Sequence, residues 1–131
     1  HTRFRNVTGV QTCALPILPT HFEPRAAYDD IVRHVQALGA VPDGIVAGSD
    51  VTAIAVIRAL VDLGHDVPGK VRVTGYDGLS LGEMVTPSLT TIDQQLRIGA
   101  ALMVDKLFRR INGEEAPSAR IEPRLIVRQS A

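Results

Sequence analysis

From Pro24 to Gly39, apolar side chains fall at Tyr28, Ile31, Val35 and Leu38, the spacing that lines one face of a helix. Pro24 suits a first helical turn and Gly39 suits the stop. After the Asp43-Gly44 turn, Ile45 to Gly48 is a short apolar run without alternation, the pattern of a strand covered on both faces. Ser49 or Asp50 can cap a second helix, which runs to about Leu63 and stops at Gly64. A turn at Val67 to Lys70 then leads to a strand from Val71 to Tyr76. This is a β-α-β unit, and its right-handed crossover makes the two strands parallel. Asp77 to Pro87 reads as loop, and Pro87 to Thr91 as a Pro-anchored run into a long helix from Asp93 to Asn112. That helix carries Leu96, Ala100, Met103, Leu107 and Ile111, and Val104 and Phe108 widen its apolar face. Ile121 to Val127 reads as a last strand, and Pro123 within it marks an edge. The fold class predicted is α/β.

Composition changes this picture little. The chain has 131 residues, enough for one small domain or part of a larger one. Apolar residues make up 45% and aromatics 4%, as in a core of Val, Ile, Leu and Ala. Fourteen basic residues balance fourteen acidic ones, so no global field draws the chain to nucleic acid or to an anionic membrane. No apolar run has the length of a membrane span. The single cysteine excludes an intrachain disulfide. Four histidines, His1, His21, His34 and His65, lack metal-ligand spacing. Neither a nucleophile elbow nor a phosphate loop is present, so no catalytic residue, metal or cofactor is expected.

Residues 1–17 stand apart. Val7 to Ile17 (VTGVQTCALPI) looks like the translation of a common sequencing adapter. The rival readings are a native strand and turn, or a degenerate signal peptide. Gln11 and Pro16 break the apolar stretch that a signal peptide needs. Residues 1–17 are therefore expected to be an artefact that leaves Cys13 without chemistry, with the genuine sequence starting near Leu18 and truncated upstream.

The most informative stretch is Val71 to Asp77 (VRVTGYD), followed by Pro87 to Thr91 (PSLTT). It delivers an aspartate to the carboxyl end of a strand, where open α/β sheets bind their ligands. Together with Pro42 to Asp50 (PDGIVAGSD), Ala59-Leu60, Gly64 to Pro68, Ile98-Gly99 and the closing Arg124 to Ser130 (RLIVRQS), this ordered series resembles the effector-binding domain of the lactose-repressor/galactose-repressor family of bacterial transcription regulators.

The resemblance implies a parallel-sheet, type I periplasmic-binding-protein-like fold, truncated to its C-terminal lobe plus the crossover helix, over residues 18–131. It implies a cytoplasmic homodimeric regulator responding to a small-molecule effector such as a sugar. Operator DNA would be read only through an N-terminal domain missing from this sequence, and no membrane is involved. The alternative is a periplasmic sugar-binding protein of a transport system.

The resemblance also assigns effector-binding residues. Asp77 would hold ligand hydroxyls; the competing role is a carboxylate that stabilises its own loop. Many members carry a second acidic residue next, where this chain has Gly78. Phe22 would stack on a sugar or base, against the alternative of a core phenylalanine. Ser49, where many members have asparagine, would reach ligand or cap its helix, and Asp50 would cap the helix or stand behind the direct contacts rather than touch ligand. Gln94, just past the crossover between lobes, would bind from the cleft floor or stay solvated. The 50–63 helix would contribute to a homodimer interface or be buried within the monomer. The 93–112 helix would meet the missing lobe, or pack on the visible sheet or a second subunit.

Overall fold

The computed structural model describes residues 17–20 and 22–131. All of the predicted artefact segment 1–17 except Ile17 lies outside the described residues, and so does His21. The elements run α1 (Pro24–Leu38), β1 (Gly44–Val46), α2 (Asp50–Asp62), β2 (Arg72–Asp77), α3 (Leu81–Met84), β3 (Thr90–Asp93), α4 (Leu96–Ile111) and β4 (Arg124–Ile126). One four-stranded sheet has the order β1-β2-β3-β4, parallel except for the last strand.

Local chemistry sets the ends of the first helices. The Glu23 carboxylate accepts from the Ala26 N–H at 2.7 Å, satisfying one of the orphan donors at the start of α1, with Pro24 beside it at the first turn. Gly39 takes φ 63° and donates to the Val35 carbonyl, ending the helix in a left-handed turn. Ala27 and Ile31 form the buried face of α1; Ala53, Val56, Ile57 and Leu60 form that of α2. Leu60, Leu89, Val71 and Val73 are fully buried at the centre of the core. Each contributes about 1.5–3 kcal/mol by leaving water.

Three predicted elements need correction. Thr90 to Asp93 is strand β3, not the lead-in to a helix, and α4 begins only at Leu96. The β-branched run Thr90-Thr91-Ile92 suits a pleated surface, and β2 offers it a parallel partner from Thr74 to Asp77. The predicted loop from Asp77 to Pro87 contains the short helix α3. Finally, β1 is not covered on both faces. It has a single partner strand among the described residues, and Val46 is 87% exposed. The final strand does begin just after Pro123 and lies at an edge, pairing antiparallel with β3.

The long helix is uncovered, and no residue of α4 is buried. Met103, Val104, Leu107, Phe108 and Ile111 are all more than half exposed, so packing on the visible sheet is not what this helix does.

The closing segment acts as a latch across the sheet. Ser130 is fully buried; its hydroxyl donates to the Val73 carbonyl at 2.6 Å and accepts from the Thr90 N–H at 2.9 Å. Its carbonyl accepts from the Val73 N–H at 2.8 Å. Arg128 donates to the Leu89 carbonyl at 2.9 Å and pairs with Glu83 of α3 at 2.6 Å. Ser130→Ala removes an acceptor from a buried N–H, and the expected loss of stability is about 1–3 kcal/mol. Urea unfolding should show a lower midpoint with an unchanged slope.

A second tie joins α1 to α2 at the surface. Arg58 grips both carboxylate oxygens of Asp62, at 2.9 Å each, and Tyr28 Oη donates to Oδ2 at 3.0 Å. The Arg58 hydrogen bonds, then that of Tyr28, hold the Asp62 carboxyl below its ordinary range. The hydrogen bond to Asp62 raises the Tyr28 phenol. A depressed carboxyl stabilises the fold above its unfolded pKa and loses that contribution as pH falls through the folded value; a raised phenol stabilises below its unfolded pKa and loses its contribution as pH rises. Thermal melts should therefore show a shallower acid decline, below about pH 4, in Asp62→Asn than in the parent. Tyr28→Phe should flatten the alkaline limb above about pH 10.

Candidate functional site

Register pairs Asp77 with Asp93 at the carboxyl ends of β2 and β3, while β1 ends at Val46 opposite Thr74. Adjacent strands in such a sheet are about 5 Å apart. The chain therefore brings Asp77 and Asp93-Gln94 to one rim, with Gly48-Ser49 following β1 on the same side of the sheet.

Asp77 is the last residue of β2, half-buried, with φ 131°. A side chain with a Cβ rarely adopts that backbone, and such strain gathers where a site imposes it. Its Oδ1 accepts from Gln94 Nε2 at 2.8 Å, so these two predicted site residues meet. Together they present a carboxylate and an amide, the acceptor and donor set that suits neighbouring hydroxyls. Gly78 follows at φ 75°, and a Cβ there would fall 2.7 Å from the Asp93 Cα. The absence of a second acidic residue thus has a local reason: the loop after β2 lies directly on the end of β3.

The turn into α4 is built around Asp93, whose Oδ1 accepts from the Gln95 N–H at 2.7 Å. This Asx-type turn ends β3, and Gln95 passes through the left-handed region at φ 54°. Gln94 is held between the strand end and this turn, which directs it towards Asp77.

Ser49 caps α2. Its Oγ accepts from the Thr52 N–H at 3.2 Å and also bonds the Thr52 hydroxyl. Of the two roles weighed for Ser49, the structure displays the cap. Phe22 is not in the core: it is 69% exposed, at φ 58°. Its ring lies against Gly48, where an added Cβ would come within 3.0 Å of Cε1. Phe22 therefore stands over the end of β1 with a face open to solvent, placed so by the absence of a side chain at 48. The structure records no contact that joins Phe22 or Ser49 to the Asp77–Gln94 pair.

A groove of about 660 Å³ lies beside β1, between it and the helices α1 and α2, lined by Phe22, Ile31, Val35, Val46 and Val56 among others. Its walls are mainly apolar, with Thr20, His34 and Thr52 among the exceptions, and neither Asp77 nor Gln94 reaches it. The carboxylate and amide pair that suits neighbouring hydroxyls is at the strand ends and not in this groove. Among the described residues no cluster of His, Cys, Asp or Glu could hold a metal ion, and no helix is long and apolar enough to cross a membrane.

The sequence assigned no role to Thr91, which lies fully buried beneath the loop; Asp50, expected to cap its helix or stand behind the ligand contacts, is fully buried as well. Asp50 Oδ2 accepts from the Leu79 N–H at 2.6 Å, and Oδ1 accepts from Thr91 Oγ1 at 2.5 Å. The usable signal was Gly75, since glycine inside a strand marks another group's close approach.

Comparison with known proteins places these features. The model of the periplasmic binding protein-like domain matches residues 3–131. The chain is 34% identical over 90 residues to the ribose operon repressor of Halalkalibacterium halodurans, covering 67% of this chain and 27% of that protein. It is 32% identical over 116 residues to the HTH-type transcriptional repressor PurR of Pasteurella multocida, covering 87% of this chain and 34% of the relative. The chain thus spans about a third of the length of the curated relatives it matches. A solved LacI family transcriptional regulator from Arthrobacter sp. FB24, in complex with lactose, superposes with a TM-score of 0.75 at 30% identity, over 83% of this chain and 42% of that one. The parallel strands with their carboxylate-bearing rim, the sequence series from Pro42 to Ser130 and these matches agree: the chain belongs to the lactose-repressor/galactose-repressor family, as part of its periplasmic-binding-protein-like effector domain.

Proposed function

We propose that this chain supplies the C-terminal part of the ligand-sensing domain of a DNA-binding transcriptional regulator that responds to a sugar or a related small metabolite. The observation that carries this reading is the Asp77–Gln94 pair at the adjoining ends of β2 and β3, with Asp77 held at φ 131°. A carboxylate can accept from two hydroxyls at once, and charge-assisted hydrogen bonds are the stronger class. An amide beside it adds a donor for a ligand oxygen. Phe22, exposed over Gly48, offers an apolar face to a pyranose ring or a planar base. Ser49, already engaged by Thr52, keeps hydroxyl capacity for one further contact.

The related proteins are repressors, which favours gene control over transport, and over an enzymatic role. One related regulator was solved with lactose bound, which supports a sugar as the first ligand class to test. The uncovered apolar faces of α4 suit a second lobe of the same domain, so that ligand would sit between lobes. Val51 and Val61, exposed on α2, suit a homodimer contact. Effector binding would then favour one lobe orientation and alter how a dimer presents its DNA-reading modules. That scheme requires different effector affinity in the two orientations. It needs no cofactor.

Asp77→Asn keeps the side-chain shape, removes its charge and turns one acceptor into a donor. In the full-length parent protein the expected loss of effector affinity is about 1.5–3 kcal/mol, or roughly ten- to a hundredfold. Calorimetric titration with lactose and ribose, then a wider sugar panel, checks it, with operator binding retained. Unchanged affinity in a folded mutant would make Asp77 a loop-stabilising residue and place the anchor elsewhere.

A further inference from the structure

Asp50 is a buried carboxylate that the ligand chemistry above does not use. It opens α2, immediately after the Ser49 cap, and no part of it reaches solvent. One oxygen accepts from the Leu79 N–H at 2.6 Å, and the other accepts from the Thr91 hydroxyl at 2.5 Å. Thr91 Oγ1 in turn lies 3.4 Å from the Gly78 N–H, which donates to it. The two backbone amides that follow Asp77 are therefore both held from below, one by Asp50 directly and the other through Thr91.

Room for this arrangement is reserved in β2. A Cβ on Gly75 would fall 2.3 Å from Asp50 Oδ1 and 2.9 Å from Leu89 Cδ2. Only glycine lets the carboxylate pass so close to the strand. The strained backbone at Asp77 needs surroundings that fix it from more than one side, because an unusual φ relaxes when its neighbours are free. The α2 N-terminus, β3 and the vacant side of Gly75 together provide this.

We propose that Asp50 is a positioning residue for the effector site: it never touches ligand, but it fixes the turn at Gly78 and Leu79, and so aims the Asp77 carboxylate and its Gln94 partner. Thr91 relays the same constraint. The inference deepens the ligand-site reading and rests on it for its consequence at the ligand, while its structural part is measurable without any ligand.

The experiment uses Asp50→Asn, Thr91→Val and Thr91→Ser. In the 131-residue chain, two nuclear resonance signals report the constraint: the Leu79 backbone amide, bonded to a carboxylate, and the Gln94 side-chain amide, bonded to Asp77. Asp50→Asn should shift both and speed exchange of the Leu79 amide at least tenfold beyond amides elsewhere in β2. Thr91→Val should shift the Gly78 and Gln94 signals, and Thr91→Ser, which retains the hydroxyl, should restore them. A purely structural role would change exchange throughout the sheet and leave no such selective pattern. In the full-length protein, affinity for whichever of lactose or ribose the parent binds should fall about tenfold in Asp50→Asn, the fold-change of one weakened charge-assisted bond. Unmoved Leu79 and Gln94 signals in a folded Asp50→Asn variant overturn the proposal. So does full sugar affinity in Asp50→Asn when Asp77→Asn loses it, an outcome that leaves the ligand reading standing. If both variants retain full affinity, the ligand reading fails first, and with it the consequence inferred for Asp50.

Discussion

The carboxylate of Asp50 is the point on which the functional end of this fold turns. Three elements that are distant in sequence meet there: the start of α2, the loop leaving β2 and the middle of β3. Burying a charge is costly unless its oxygens are satisfied, and the Leu79 amide and the Thr91 hydroxyl supply that compensation. The same bonds fix where the loop runs. The requirement to satisfy one buried group thereby becomes a positional constraint on Asp77, two residues before Leu79.

At the opposite end of the strands Ser130 and Arg128 perform a comparable task for the core. The chain's last residues return beneath β2 and β3, and Ser130 satisfies a donor and an acceptor on the two neighbouring strands. Arg128 secures α3 through Glu83 and the Leu89 carbonyl. The sheet is thus tied at its base by the C-terminal segment and at its rim by the N-terminus of α2. Between these ties lies a core of only a dozen buried apolar side chains among the described residues, five of them on α2. Its modest size is consistent with apolar surface that remains uncovered on α4 and along β1.

Uncovered surface and polar rim have different meanings. The groove beside β1 is large and apolar, as expected where another part of a domain would pack, whereas the strand ends carry the few polar groups able to discriminate a ligand. The proposed site follows the chemistry of Asp77 and Gln94 rather than the volume of the groove.

Local sequence signals were sufficient for α1, α2 and β2, because their caps, turns and periodicities lie within a few residues of the elements they define. Pro24, Gly39, Ser49 and Gly64 bracket the helices, and the Val71 to Tyr76 run has the strand chemistry that its position requires. The motif series also singled out Asp77 and Gln94 as candidate site residues. Tertiary structure alone decided the rest. Thr90 to Asp93 is too short to declare itself as a strand, and becomes one because β2 presents a pairing edge. The apolar run of β1 is indistinguishable in sequence from a doubly covered strand, and whether neighbours exist is not a local property. The pairing of Gln94 with Asp77, seventeen residues apart, and of Thr91 with Asp50, forty-one apart, depends on strand order and register. Residue type specifies what each group can bond; only the folded sheet determines which group is within reach.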